Sequence, residues 1–296
     1  MKTFFQTFPV DCLDKVGRTP LLYASINNKV KSVELLIKQG AEPSTKDSTG
    51  RSALFFAAYY GHHDVLKVLL RTDRQLALDS DPEGRTAIHW STKHQTTKCL
   101  DMLLKVCPPA IINVQDNEQV TALHWAVLCH NDEHVARLAK AGAGMAIADG
   151  DGRTAIHYAI CNDAQRCLFI LLQQSGIEKS VNVKDNRGRT ALHLAIGADT
   201  AITCCSLLVD NAYTDVNCTD SSMRTPLHWA AVCNRPDIIE VLCLRGANQN
   251  YRDVSGRTPM HYASEKGNQQ AMQALHQLSQ QGGAAQSPNL QQSGGR

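Results

Sequence analysis

The sequence predicts an all-α fold of about eight helix–turn–helix units, and three periodic features carry that prediction. A motif of Thr or Ser, then Pro or Ala, an apolar residue and usually His recurs every 33 to 36 residues, a period typical of stacked helical units. An Asp precedes each motif by five residues, and a Leu follows it by seventeen. The motif begins at Thr19, Ser52, Thr86, Thr121, Thr154, Thr190, Thr225 and Thr258.

Each motif marks the start of a short first helix. Thr and Ser are favoured N-cap residues, and Pro or Ala suits the first helical position. Nine residues after the cap the chain often places Asn or Gly, which adopt a left-handed backbone at low cost. The first helix is therefore predicted to end near Asn28, Gly61, Asn234 and Gly267.

A second helix and a turn complete each unit. Residues fourteen, seventeen and eighteen after the cap are apolar in most repeats, which is the i, i+3, i+4 stripe of an amphipathic helix. The Asp-x-x-Gly segment before the next motif is typical of a turn. Because one helix pair cannot bury its own stripe, Leu138 and Leu171 are predicted to be buried between neighbouring second helices.

These motifs resemble the ankyrin repeat family over about residues 14–280. The clearest copy is Arg-Thr-Pro-Leu-His-Trp-Ala-Ala over 224–231, followed by Arg-Gly-Ala over 245–247. The resemblance implies an ankyrin repeat solenoid in which each unit has two antiparallel helices and a β-turn finger. It also implies that the motif His hydrogen-bonds loop backbone and ties repeats together. Leu22 and Phe55 replace this His in the first two repeats, so weaker ties are expected there.

The array of about eight repeats is predicted to occupy residues 14–280 as one domain. Residues 1–13 are interpreted as the tail of a truncated upstream repeat. Residues 281–296 are rich in Gly, Gln and Ser and are predicted to be a disordered low-complexity tail. Extra residues near 108–109, 175–179 and 212–214 are expected to lengthen loops without altering the stack.

Charge and hydrophobic patterning argue against two classes of partner. Lys plus Arg is 30 and Asp plus Glu is 28, so the concentrated basic face that nucleic acid needs is not expected. No apolar run approaches the roughly 18 residues that span a bilayer, and membrane insertion is not predicted. Eleven cysteines without a CxxC pair, and no secretion signal, favour a reducing cytoplasm.

The sequence predicts no enzyme, no cofactor and no metal site. It contains no GxxxxGK[ST], GxSxG or HExxH motif. His fills the fourth motif position in six repeats, but equivalent atoms of stacked helices lie about 10 Å apart, too far to share one metal ion. These histidines are therefore interpreted as structural.

Aromatic residues concentrate at the position that follows the motif. Phe, Trp and Tyr make up 5% of the chain, yet seven of the eight repeats have one there, and Leu194 is the exception. In the ankyrin family this position faces the concave groove. Two interpretations stay open: the rings pack between repeats, or they anchor a partner protein, as Trp and Tyr do at many interfaces. The predicted partner-binding residues are Trp90, Trp125, Tyr158, Trp229 and Tyr262.

Four Asn residues late in the connecting loops match a position that some ankyrin proteins have hydroxylated by a cytosolic iron-dependent asparaginyl hydroxylase. These candidate hydroxylation sites are Asn113, Asn182, Asn217 and Asn250. The mass of one added oxygen on the corresponding peptides tests the assignment.

A narrower resemblance links the chain to nephrocystin-class ciliary scaffolds. It is carried by Thr-Lys-His over 92–94, Gln-Asp-Asn over 115–117 and Thr-Ala-Leu-His-Trp over 121–125. It implies a scaffold that binds ciliary or signalling proteins through the groove and the finger loops, in planar-polarity-type Wnt signalling. The implied location is the cytoplasm, at the cilium or the cytoskeleton.

Two alternatives stand beside a monomeric scaffold. The first is a regulatory subunit or inhibitor that occludes an enzyme or a transcription factor. The second is a fragment with no independent partner. A stoichiometric complex with one enzyme distinguishes the first alternative from a scaffold with many partners.

Overall fold

Paired helices make up nearly all the regular structure. The computed structural model describes residues 9–198 and 202–284, with the backbone alone for 281–284. Within those ranges the only β structure is three isolated bridges, which join Lys46 to Ser52, Ser80 to Thr86 and Gln115 to Thr121. The eight helix pairs are α1 (Pro20–Ile26) with α2 (Val30–Lys38), α3 (Ala53–Tyr59) with α4 (His63–Thr72), α5 (Ala87–Ser91) with α6 (Lys98–Val106), α8 (Ala122–Leu128) with α9 (Asp132–Lys140), α10 (Ala155–Cys161) with α11 (Gln165–Leu172), α12 (Ala191–Gly197) with α13 (Ile202–Asp210), α14 (Pro226–Val232) with α15 (Pro236–Leu244), and α16 (Pro259–Lys266) with α17 (Gln269–Ala284).

The chain divides into two compact units, Met1–Ser180 and Val181–Arg296. In the first unit the first helices of successive repeats pack on one another, and α2 packs on α4, α4 on α6, and α9 on α11. In the second unit α12, α14 and α16 form one layer, and α13, α15 and α17 form the other. Each unit therefore has a layer of first helices and a layer of second helices, as the repeat pattern predicts.

The predicted caps and helix ends are confirmed. The motif Thr or Ser has an extended backbone, and in the first repeat the Thr19 hydroxyl accepts the N–H of Leu22 at 3.2 Å. The residues predicted to end the first helices have positive φ angles: Asn28 52°, Gly61 72°, Asn234 51° and Gly267 70°. The sequence thus determines both ends of the first helix locally.

The apolar stripe of each second helix is buried between neighbouring helices. Leu138 and Leu171 are fully buried, which confirms their predicted place. The repeat that holds α13 departs from the pattern: it spans 35 residues, Leu207 is half-buried, and Leu208 is fully buried instead. The buried position therefore comes one residue later in α13 than in the other second helices.

Two of the three inserted segments fold into short helices, and the third, near 212–214, lies in a turn. Residues Pro109–Ile112 form the remaining α-helix, α7, and Ile177–Lys179 form a 3-10 helix. Ile112 and Ile177 are buried, so each of these two insertions contributes one apolar side chain to the interior and is more than a lengthened loop. The predicted limits of the array stay a prediction: residues 1–8 and 285–296 lie outside the described residues, and α17 runs to Ala284.

In four repeats a buried His joins the cap to the next finger. The backbone N–H of Thr121 donates to Nδ1 of His124 at 3.2 Å, and Nε2 of His124 donates to the Arg153 carbonyl at 3.1 Å. One ring nitrogen accepts and the other donates, which requires a neutral imidazole. His89, His193 and His228 make the same two contacts. The expected bond from the motif His to loop backbone is thus confirmed, and Leu22 and Phe55 have no nitrogen with which to make it.

Burial keeps these imidazoles neutral. It lowers the pKa of His124 and of His193 to about 4, although the hydrogen bonds to the Arg153 and Arg224 carbonyls act in the opposite direction. Burial also lowers the pKa of His89 and of His228. A proton on Nδ1 would remove the acceptor that each cap N–H uses.

The free energy of unfolding is expected to fall as the pH is lowered from about 6.5 to about 4. The unfolded chain binds protons on these histidines below pH about 6.5, whereas the folded chain binds them only near pH 4, so the free energy of unfolding decreases between those values. Urea unfolding from pH 7.5 to 4.5 measures it. The double variant His124→Gln/His193→Gln should lose part of the dependence, and an unchanged pH profile in that variant would contradict the assignment.

Truncation of the buried leucines is expected to destabilise the array. Leu138→Ala and Leu171→Ala each remove a fully buried side chain and should lower the free energy of unfolding by about 2–5 kcal/mol. Leu244 is 81% exposed, so Leu244→Ala should stay within about 0.5 kcal/mol of wild type. Equal melting of all three variants would show that the second-helix phase is wrong.

Candidate functional site

Seven of the eight fingers are built on a buried Asp, and the equivalent Asp14 of the first finger is exposed. In the fourth repeat Oδ1 of Asp116 accepts the backbone N–H groups of Glu118 at 3.0 Å and Val120 at 2.9 Å, which closes the turn. The second carboxylate oxygen faces the first helix of the same repeat, where Trp125 lies nine residues further along the chain. One carboxylate therefore connects the finger to the helix.

The aromatic residue after each motif supplies the matching donor. We call these residues the aromatic row: Tyr23, Phe56, Trp90, Trp125 and Tyr158 in the first unit, and Trp229 and Tyr262 in the second. Six of them donate an indole N–H or a hydroxyl to Oδ2 of the finger Asp, a use of the polar handle that Trp and Tyr carry. The pairs are Tyr23–Asp14 (2.6 Å), Trp90–Asp81 (3.0 Å), Trp125–Asp116 (3.2 Å), Tyr158–Asp149 (2.9 Å), Trp229–Asp220 (3.0 Å) and Tyr262–Asp253 (2.6 Å).

Hydrogen bonds stabilise the charged form of these carboxylates. Burial disfavours ionisation of Asp253, but bonds from the Tyr262 hydroxyl and from the Arg257 and Ser255 N–H groups outweigh it and hold its pKa at about 2. Leu194 cannot donate, and in that repeat Arg189 replaces the ring with two bonds to Asp185 at 2.9 and 2.7 Å. The finger Asp is thus satisfied in each of these arrangements.

The aromatic row is unevenly open to solvent. Trp90 is 5% exposed and Tyr262 is 8% exposed, so these two rings are packing residues. Trp125, Tyr158 and Trp229 are half-buried and keep part of the ring accessible. Of the five residues predicted to bind a partner, these three therefore offer contact area.

Neighbouring rings cover Trp90. The Phe55 and Tyr59 ring centroids lie 4.8 and 5.5 Å from its own, and Trp125 lies 5.7 Å away. The Arg85 guanidinium lies over the rings of both Trp90 and Trp125, at 5.2 Å in each case. The Trp90 ring is therefore packed beneath the exposed face of the first helices.

A second row, three residues further along the chain at the ends of α3, α8 and α10 and just after α5, is more exposed. We call Tyr59, Lys93, Leu128 and Cys161 the outer row; each lies three residues after a member of the aromatic row and is exposed. Residues i and i+3 share a helix face, which is the signal that would have found them. The residue types differ at this position, so a search for a repeated residue passes over it.

Lys93 places a positive charge on this surface. Its Nζ lies 5.1 Å from the Trp90 ring centroid and 4.7 Å from that of Trp125, within the range of a cation–π contact. Tyr59 on one side is 37% exposed and Leu128 on the other is 43% exposed. The first-helix face of the first unit thus combines the exposed side chains of Tyr59 and Leu128 with the ammonium group of Lys93, which the two indole rings position.

The candidate hydroxylation sites differ in how their amides are held. Asn182 donates to the Tyr213 carbonyl at 2.8 Å and accepts the Asp215 N–H at 2.9 Å. Asn217 makes the equivalent pair with Gly246 and Asn248, and Asn113 accepts the Gly144 N–H at 2.7 Å. Among the described residues the side-chain amide of Asn250 makes no hydrogen bond, although its backbone N–H donates to Oδ1 of Asn248 at 2.9 Å, and the residue is exposed. Three of the four amides thus join successive loops, and Asn250 is free.

The part of the chain that the structure describes holds neither a cluster of metal ligands nor a membrane-spanning helix. Among the residues that the structure describes, no group of three or more His, Cys, Asp or Glu is placed to hold a metal ion. Over the same residues, no helix is both long enough and apolar enough to cross a bilayer.

The paired helices, the Asp-based fingers and the His ties define a helical repeat protein, and comparison with known families agrees. A family model described as ankyrin repeats in three copies matches residues 2–77, 72–149, 109–182, 137–220, 177–253 and 203–284. The chain belongs to the ankyrin repeat family, and its repeats form a protein-interaction domain. The predicted family and the predicted all-α repeat fold are confirmed.

Individual relatives share the repeats. Inversin of Mus musculus is 34% identical over 231 residues, which are 77% of this chain and 18% of inversin. The nuclear factor NF-kappa-B p105 subunit of Gallus gallus is 30% identical over 222 residues, 73% of this chain and 22% of the relative. The chain therefore spans less than a quarter of the length of these curated relatives.

Hydroxylation is expected to favour Asn250. A hydroxylase that acts on Asn113, Asn182 or Asn217 must first break a bond between loops, whereas the Asn250 amide is already accessible. Fragment-ion mass spectrometry of the protein expressed in cells that contain the hydroxylase should place one added oxygen on Asn250 more often than on Asn217. Unmodified Asn at all four positions, or equal modification of Asn217 and Asn250, would contradict this ranking.

Proposed function

We propose that this chain is a non-enzymatic scaffold that binds partner proteins through the first-helix face and the finger loops, in ciliary and planar-polarity-type Wnt signalling. The observation that carries the binding part is the exposed outer row, with Tyr59, Lys93 and Leu128 beside the half-buried Trp125. Aromatic and apolar anchors with a nearby cation are typical of interaction surfaces.

The chemistry of this surface favours a partner segment that is both apolar and acidic. Leu128 and the edge of Trp125 offer area to an apolar side chain, and Lys93 offers an ammonium group to a carboxylate. The Lys93 charge already lies on two indole rings, so a second cation would be repelled there.

The rings are held before any partner arrives. The bond from Trp125 to Asp116 and the stacked Arg85 fix the indole in one orientation. A group that is already ordered loses little conformational entropy on binding, so its contact area contributes more fully to affinity. The finger Asp thus supports binding indirectly, through the orientation of the ring.

The ciliary part of the proposal rests on resemblance. The early-repeat motifs are similar to those of nephrocystin-class scaffolds, and mouse inversin is 34% identical over 77% of the chain. The compared segment is 18% of inversin, so the resemblance extends to the repeats alone. The same resemblance carries the proposed location at the cilium or the cytoskeleton, in the cytoplasm.

A regulatory subunit or inhibitor is the second candidate. It is favoured by the match to the p105 subunit of a nuclear factor, 30% identical over 73% of this chain. This candidate requires one dominant partner in a stoichiometric complex, whereas a scaffold has several.

An affinity capture from ciliated cells tests the proposed function. Leu128→Glu places a carboxylate on the exposed first-helix face without changing the buried core, and should weaken capture of bound proteins by about tenfold or more. Leu244→Glu makes the same exchange on α15, where the side chain is 81% exposed, and should leave capture unchanged. Circular dichroism checks that both variants fold, and quantitative mass spectrometry measures capture.

The outcomes separate the candidates. Several ciliary proteins retained by wild type and by Leu244→Glu but lost by Leu128→Glu support the scaffold. One enzyme or transcription factor in equimolar amount supports the regulatory subunit. Identical protein sets from both variants would remove the first-helix face as the binding surface.

A further inference from the structure

The second-helix layer of the first unit contains a cleft that neither the fold nor the first-helix face explains. It lies between α4 and α6 and has a volume of about 280 Å³. Its floor is Leu70, which is 5% exposed, with the half-buried side chains of Met102 and Val106. Met is flexible and polarisable, so such a floor adapts to apolar side chains of different shape.

Four cations line this cleft. Lys67 and Arg71 lie on α4, Arg74 lies in the 3-10 helix Arg74–Leu78 that follows it, and Lys105 lies on α6. All four residues are exposed. In the part of the chain that the structure describes, none of these side chains forms an ion pair or a hydrogen bond. We call these four cations and the three floor residues the basic cleft.

The nearby carboxylates are engaged elsewhere. Asp64 lies 3.4 Å from the imidazole of His63, and Asp73 accepts the Gln75 N–H at 2.8 Å. Asp101 lies 3.7 Å from Arg137 and accepts the Thr97 hydroxyl at 3.0 Å. The chain as a whole has 30 basic and 28 acidic residues, so an unpaired group of four cations is a local feature.

We propose that the basic cleft binds an amphipathic helix of a partner protein, with apolar residues on one face and Asp or Glu at its edges. A groove between two helices receives the apolar face of a third helix at positions i, i+3 or i+4, and i+7. The four cations then meet the flanking carboxylates. Nucleic acid or a lipid headgroup would use the cations but leave the apolar floor without a partner.

This surface is distinct from the one in the proposed function. The basic cleft belongs to second helices, whereas Leu128 and Lys93 belong to the first helix α8 and to the segment after α5. Substitutions in one surface therefore leave the other intact, and each proposal can fail alone.

A defined peptide tests the basic cleft on the full chain. The probe is a fluorescent, amide-capped helical peptide with Leu on one face and Glu on both sides of it, and its control is a scrambled peptide with the Leu residues dispersed. Fluorescence anisotropy measures the dissociation constant at about 50 mM and about 300 mM NaCl. The variants are Lys67→Glu/Arg71→Glu for the rim and Met102→Glu for the floor, with Lys31→Glu/Lys38→Glu on α2 as the matched charge control.

The proposal expects the patterned peptide to bind about tenfold or more tightly than the scrambled one, and more weakly in salt. Rim and floor variants should each lose about tenfold, and the α2 control and Leu128→Glu should bind as wild type does. Equal binding of both peptides, or full binding by folded Met102→Glu, overturns it. So does rim-dependent binding of phosphatidylserine vesicles without binding of the peptide, which would assign the cleft to a membrane surface.

Discussion

In four repeats a neutral imidazole accepts the N–H of its own helix cap and donates to a carbonyl of the next finger, and the order of the fingers depends on this pair of bonds. The bond to the cap fixes the start of the first helix, and the bond to the carbonyl fixes the next loop against it. The first two repeats lack the imidazole, and other side chains join them to each other: the Ser48 hydroxyl donates to the Val16 carbonyl at 2.8 Å, and the His62 ring bonds the Ile26 carbonyl at 3.0 Å.

The finger Asp connects each finger to the aromatic row by hydrogen bonds. A buried carboxylate needs a donor for each oxygen, because an unsatisfied polar group costs about 1–3 kcal/mol. Backbone N–H groups of the turn serve one oxygen, and an indole or phenol serves the other. The concentration of Trp and Tyr at one repeat position thus has a structural cause, and a single ring both satisfies the Asp and presents an oriented edge. Packing and partner binding are two uses of the same residue.

The sequence predicted the local features of each repeat, but it did not predict which aromatic rings are exposed to solvent. Caps, left-handed helix ends and the buried Leu138 and Leu171 follow from residue types at fixed spacing, and all are found as predicted. Whether an aromatic ring is open depends on residues from the neighbouring repeat: Phe55 and Tyr59 lie against Trp90, while Trp125 stays half-buried. The cluster of cations at the basic cleft could not be predicted from the sequence either. Lys67 and Lys105 are 38 residues apart in the chain and come together only because α4 packs on α6.

Stacking two kinds of helix gives one unit two surfaces of different chemistry. On the first helices the aromatic residues are constrained by the bond to the finger Asp and by ring packing. The residue type differs between repeats at positions such as Leu128, which lies three residues after Trp125 and is exposed. The outward residues of the second helices, such as Lys67 and Lys105, are exposed and lie outside the apolar stripe, so charge can accumulate there at little structural cost. A repeat protein can therefore acquire a second ligand surface without disturbing the first, because the charged residues of the second helices and the outer row are exposed and lie outside the buried stripe.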